Sequence, residues 1–118
     1  MTTERRRFTR IPYQATARLE LGGERWDVRL LDISLNGALV SRPETLDPRP
    51  GTPCRIEVPL EAGKLIRMQA RVAHVEGTRI GLERVHIDID SITHLRRLVE
   101  LNLGDPALIE RELHELGE

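Results

Sequence analysis

The sequence predicts a mainly β domain, an antiparallel barrel or sandwich, with a basic arm in front of it and helices behind. Three observations predict this class. Apolar residues alternate with polar ones over about six short runs, the period of half-buried strands. Turn-forming residues separate these runs at hairpin spacing. After residue 90 the apolar spacing lengthens to three and four, the period of a helix packed on one side.

Each element follows in order. Residues 1–12 form the arm, holding Arg5, Arg6, Arg7 and Arg10 against Glu4 alone, with Phe8 and Ile11 as its few apolar anchors. Like charges and little apolar content predict a mobile segment. YQATARLEL (13–21) alternates through Ala15, Ala17, Leu19 and Leu21, and Gly22-Gly23 turns the chain. WDVRLLDIS (26–34) alternates through Trp26, Val28, Leu30 and Ile33, and the break in phase predicts a bulge near Leu31. Trp26 reads as a core or barrel-end residue. Asn36-Gly37 is a strong turn signal before the short strand ALVS. Residues 43–53 contain four prolines and Gly51 and form a loop. CRIEVPL (54–60) turns through Glu61–Lys64 into LIRMQARVAHVE, where Ile66, Met68, Ala70, Val72 and Val75 line one face. Gly77-Thr78 turns into RIGLERVHI. The β region is thus 13–89. In the helical region, 90–116, Asp90 or Ser91 caps a helix with Ile92, Leu95, Leu98, Val99 and Leu103 on its apolar face, and Gly104 stops it. Asp105-Pro106 opens a second helix facing inward through Leu108, Ile109, Leu113 and Leu116.

A chain of 118 residues is read as one domain. Apolar content of 39% with 31% charged residues describes a soluble globular protein, and no run approaches the ~20 apolar residues of a membrane span. A single cysteine, Cys54, excludes an intramolecular disulfide and fits a reducing cytoplasm. Net charge is −1, so the whole molecule has no strong attraction for nucleic acid or membrane, yet the arm is basic and the last twenty residues hold six acids against Arg111. With Lys64 the sole lysine, the positive charge is nearly all guanidinium, whose planar fork suits phosphates and base edges. A nucleic-acid-binding barrel is the weaker reading, because aromatics make up only 3% of the chain. No nucleophile elbow, phosphate loop or zinc-protease pattern appears, and the carboxylates form no recognisable acid–base pair, so catalysis has no candidate.

DISLNG (32–37) is the most informative stretch. Asp32 and Ser34 lie two apart on a strand and share a face, while Ile33 and Leu35 point to the core. Gly37 follows where positive φ or close backbone approach is needed. Asp32 and Ser34 have a simpler role open to them, as turn-forming groups before Asn36-Gly37. A carboxylate can accept from the N1–H and N2–H₂ edge of guanine, an arginine can fork onto guanine O6 and N7, and further arginines and a hydroxyl suit phosphate. Arm and strand face together describe a site for a guanine nucleotide.

Arg6 and Arg10 form RxxxR, and Asp32, Ser34 and Gly37 form DxSxxG with 21 residues between the two motifs. The pair resembles the signature of PilZ domains, bacterial receptors for cyclic di-GMP. RIGLE (79–83) resembles that family's last barrel strand, and HIDIDSITHLRRLVELNLGD (86–105) the tail of its stand-alone members. The resemblance implies a six-stranded antiparallel barrel with helices appended. It also implies a cyclic di-GMP site of Arg6, Arg10, Asp32, Ser34 and Gly37, with Arg5 and Arg7 as auxiliary phosphate partners. Such a site takes one ligand molecule or a stacked pair. Where family members often stack an aromatic on a base, this chain has His74, which is alternatively a plain surface residue. The resemblance further implies a cytoplasmic adaptor without enzymatic activity or catalytic cofactor. Its signal would leave through a partner protein in motility, chemotaxis (receptor methyltransferases included) or surface polysaccharide production. A ligand-independent adaptor of the same fold is the alternative. The absence of a long heptad run points to a monomer. In HIDID, the alternation of His86, Asp88 and Asp90 permits a metal site, but the simpler reading puts Ile87 and Ile89 in the core and Asp90 at the helix cap.

Overall fold

A computed structural model of the chain describes residues 10–103 together with Arg111 and His114. Six antiparallel strands run in the order β1 (Ile11–Leu21), β2 (Glu24–Ser34), β3 (Gly37–Ser41), β4 (Pro53–Pro59), β5 (Leu65–Glu76) and β6 (Arg79–Ile87), followed by helix α1 (Ile89–Leu103). They close into a barrel with the lateral order β1-β2-β3-β6-β5-β4. The barrel is therefore two three-stranded meanders, β1-β2-β3 and β4-β5-β6. Two long-range ladders join them: β3 to β6 over five residue pairs, and β1 to β4 over the three pairs Arg18↔Glu57, Leu19↔Ile56 and Glu20↔Arg55. Closure satisfies the backbone groups that an open sheet edge would leave unpaired.

The alternation read from the sequence fills the barrel. Ala17, Leu19, Val28, Leu30, Ile33, Leu35, Val40, Ile56, Val58, Ile66, Met68, Val72 and Ile80 are buried in one core, and Trp26 packs partly buried against it. The outer face of β2, β1, β4 and β5 carries the row Asp27–Arg18–Glu57–Arg67, in which each residue is the cross-strand partner of the next and each adjacent pair is of opposite charge. In the neighbouring row, Glu20 pairs with both Arg25 and Arg55. The two guanidinium groups hold its carboxyl below the usual range.

Several boundaries differ from the sequence reading. β1 begins at Ile11, two residues inside the segment assigned to the arm, because Ile11 is itself buried in the core. Helix α1 begins at Ile89, and its cap is neither Asp90 nor Ser91 but Asp88, whose Oδ2 accepts from Ser91 N–H at 3.1 Å. Ile89 consequently stands in the first helical turn and is 77% exposed, so it does not enter the core, whereas Ile87 packs against it. Ser91 is buried, and its Oγ accepts from Arg67 N–H on β5, tying the helix to the barrel. Leu95 and Val99 complete that contact, fully buried. The second helix expected from Asp105 onward lies outside the described residues, save Arg111 and His114, which are helical.

Candidate functional site

Strand phase decides which side chains reach the outer surface. On β2, Val28 and Leu30 point inward, so simple alternation would send residue 32 inward as well. A bulge between Leu30 and Asp32 against β3 adds Leu31 as an extra residue and reverses the phase. Ile33 and Leu35 then enter the core, and Asp32 and Ser34 come to the outer face. The bulge read near Leu31 is where the sequence puts it. β5 does the same. Ile66, Met68, Ala70 and Val72 point inward, and a bulge between Val72 and His74 turns His74 outward and Val75 toward the core. The extra residue is Ala73. The loop before β4 fixes the spot: Val72 N–H donates to Thr52 O at 2.9 Å, and Gly51 N–H to Val72 O at 2.6 Å.

Pairing across β2, β3, β6 and β5 then assembles one surface in two adjacent rows. The first row is Asp32–Leu39–Gly81–His74 and the second Ser34–Gly37–Glu83–Arg71, each residue facing its neighbour across a ladder. At about 4.8 Å per strand, the backbones of Asp32 and His74 are on the order of 14 Å apart. Leu39 in the middle is buried without belonging to the core cluster, which makes an apolar floor.

Arg10, just ahead of β1, brings Nη1 to 3.7 Å from Asp32 Oδ2. Ser34 is 8% exposed, and its Oγ accepts from Asn36 N–H at 3.1 Å, a local turn bond that leaves the hydroxyl proton to donate elsewhere. Gly37 does not have a positive φ. Its need is space: a Cβ there would lie 2.0 Å from the Leu82 carbonyl oxygen on β6. Close backbone approach, one of the two reasons read from the sequence, is the operative one. Arg71 Nε donates to Glu83 Oε1 at 3.2 Å on the far side. Of the residues assigned to a site from sequence, Arg10, Asp32, Ser34 and Gly37 are thus grouped together and His74 stands across the same face; Arg5, Arg6 and Arg7 lie outside the described residues. The sequence reading missed Leu39, Gly81, Glu83 and Arg71. The glycine inside the strand pattern RIGLE was the available signal, since such a glycine marks close approach. The other three are ordinary strand residues until the register is known.

Among the described residues no cluster of His, Cys, Asp or Glu is arranged to hold a metal ion, and no helix is long and apolar enough to cross a membrane. Cys54 is buried and its thiol is pushed up to about 11 by desolvation, so it stays protonated at neutral pH.

The closed six-stranded barrel is the fold that the resemblance implied, and the chain belongs to the PilZ domain family, whose model matches residues 4–101. Its fold is shared with solved members. It superposes on the Bacillus subtilis inhibitor of motility, MotI/DgrA, with a TM-score of 0.74 at 18% identity, over 88% of this chain and 54% of that one. The chain thus spans about half the length of the motility inhibitor. The PilZ domain of YcgR from Escherichia coli, solved with c-di-GMP, matches with a TM-score of 0.65 at 20% identity, over 97% of this chain and 98% of that domain. The PilZ domain of CeSA from a cellulose-synthesizing bacterium matches with a TM-score of 0.65 at 21% identity, over 82% and 99%.

Proposed function

We propose that the protein is a cyclic di-GMP receptor that acts as an adaptor and not as an enzyme. One observation carries the reading: Arg10, the described arginine of RxxxR, meets the DxSxxG motif in space, with its Nη1 3.7 Å from Asp32 Oδ2 beside Ser34 and Gly37. The c-di-GMP bound to the related YcgR domain supports the choice of ligand. In this reading Arg6 and Arg10 fork onto guanine edges and phosphate, and Arg5 and Arg7 add charge for the phosphates. Asp32 accepts from the guanine N1–H and N2–H₂ edge, the Ser34 hydroxyl donates to a phosphate oxygen, and His74 stacks on a base. The ligand is one molecule or a stacked pair. Leu39 supplies apolar contact beneath it.

Binding draws the arm onto the barrel, because the dianionic ligand interacts with the arginines only in the closed state, and differential affinity is what shifts an equilibrium. The signal passes to a partner protein, and the motility inhibitor among the structural relatives makes a motility component the first choice. In this reading the domain acts in the cytoplasm and as a monomer.

The test is calorimetric titration with cyclic di-GMP, with GTP as the control ligand. Saturable binding of cyclic di-GMP is expected. Arg10→Ala and Asp32→Ala should each weaken it tenfold to about a hundredfold, the worth of one charge-assisted hydrogen bond, and Arg6→Ala should do likewise. A flat titration on folded wild-type protein overturns the reading and leaves a ligand-independent adaptor in its place.

A further inference from the structure

Resting on the receptor reading above, we propose that Gly81 is a positioning residue whose missing side chain lets the His74 imidazole lie flat on β6 as a ready-made platform for a purine base. The contrast with Gly37 carries the argument. At Gly37 a Cβ would meet the backbone, at the Leu82 carbonyl, so that glycine serves the barrel itself. At Gly81 the three atoms nearest a Cβ are all in one imidazole: His74 Cε1 at 2.2 Å, Nε2 at 2.6 Å and Nδ1 at 2.7 Å. Both nitrogens are nearly as close as the carbon between them. A point beyond the ring's edge would be much nearer Cε1 than either nitrogen, so the Cβ position lies over the ring's face. One face of the imidazole therefore covers the Gly81 backbone, and His74 is exposed while Gly81 is buried. Gly81 has no positive φ, so backbone conformation does not require a glycine there.

The backbone around His74 sets where the ring can lie. The bulge at Ala73 turns His74 outward, and cross-strand pairing sets it opposite Gly81. Arg42 ties the β5–β6 turn to the loop after β3, donating from Nε to Gly77 O at 2.8 Å and from Nη1 to Leu46 O at 2.9 Å. Imidazole offers less stacking area than a larger aromatic ring, so fixing it in advance matters more: a ring already oriented loses little freedom when a base settles on it. The atoms nearest a methyl group at residue 81 belong to a side chain, whereas those nearest one at residue 37 belong to the backbone. The barrel can accept it, but the imidazole has to tilt away.

The experiment is a double-mutant cycle read by cyclic di-GMP titration on wild type, Gly81→Ala, His74→Ala and the double variant, with thermal midpoints as the folding control. Gly81→Ala is expected to weaken binding by about threefold to tenfold, close to the loss from His74→Ala and within the range of one stacking contact. The double variant should bind like His74→Ala alone. Position is read separately by NMR on free protein: a Gly81 Hα resonance shifted upfield by the ring current, and restored in His74→Ala. Losses that simply add, wild-type affinity in Gly81→Ala, or no ring-current shift would each overturn the inference while leaving the receptor reading intact. A flat wild-type titration overturns the receptor reading and the platform with it.

Discussion

Gly37 is the residue for which the barrel has least tolerance. Any side chain there must displace the Leu82 carbonyl, so Gly37→Ala should lower stability by about 1–3 kcal/mol, seen as a lower thermal midpoint without ligand. The sequence marked Gly37 as special through its place after Asn36, but whether conformation or space demanded it depended on a strand 45 residues further on. Cys54 makes a second residue-scale case. Burial keeps its thiol protonated, so a thiol reagent at neutral pH should label the native protein far more slowly than the denatured one. Rapid labelling of folded protein would contradict the packing at the start of β4. That Asp32 and Ser34 share a face was legible from their spacing, but their assignment to a site came from the paired motifs and the resemblance. His74 was legible only by resemblance, since alternation from Val72 would have aimed it inward.

At the scale of elements, bulges and caps separate what the sequence disclosed from what it did not. Leu30-Leu31 put two large apolar residues side by side, a visible break in phase, and the bulge there followed. On β5 the break is carried by Ala73, which is small enough to suit either face, so its sign in the sequence was only the three-residue step from Val72 to Val75 on one face. The helix start was misplaced by similar ambiguity: HIDID offers three polar residues in alternation, and only the position of Ser91 N–H decides which one caps. Asp88→Ala should cost about 1 kcal/mol, the usual worth of an N-cap, while Asp90→Ala should cost little. The Ser91 hydrogen bonds hold the Asp88 carboxyl below its ordinary value of 3.8. A carboxyl depressed in the folded state stabilises it above the unfolded value and loses that contribution as pH falls through the folded one. The cap therefore acts fully above about pH 4 and fails in stronger acid.

For the whole molecule, the same sign applies to the charged outer face. Glu20 is also depressed, by Arg25 first and Arg55 next, so its contribution is present above the ordinary carboxylate value of 4.5 and fades below it. The thermal midpoint should fall in acid more steeply for wild type than for Glu20→Gln, and parallel curves would mean that the row of ion pairs adds nothing to stability. The fold class and core were readable because one face of each strand is apolar. The lateral order was not, because alternation says which face is buried but not which strands are neighbours. The family resemblance supplied the barrel, and the ladders supplied the site.

That lateral order has a consequence for how the protein comes apart. Asp32, Ser34 and Gly37 belong to the first meander, His74 and Gly81 to the second, and the face they share straddles the β3–β6 joint. The opposite joint, β1 with β4, is only three pairs long. Each meander is built from local hairpins, whereas both joints connect distant parts of the chain and are the slow, entropically costly contacts to form. A molecule gripping both halves of that face would rivet the barrel across its longer joint. At a hundred times its dissociation constant it should add about 2.7 kcal/mol to stability, and because it must leave before the halves part, it should slow unfolding more than it speeds refolding.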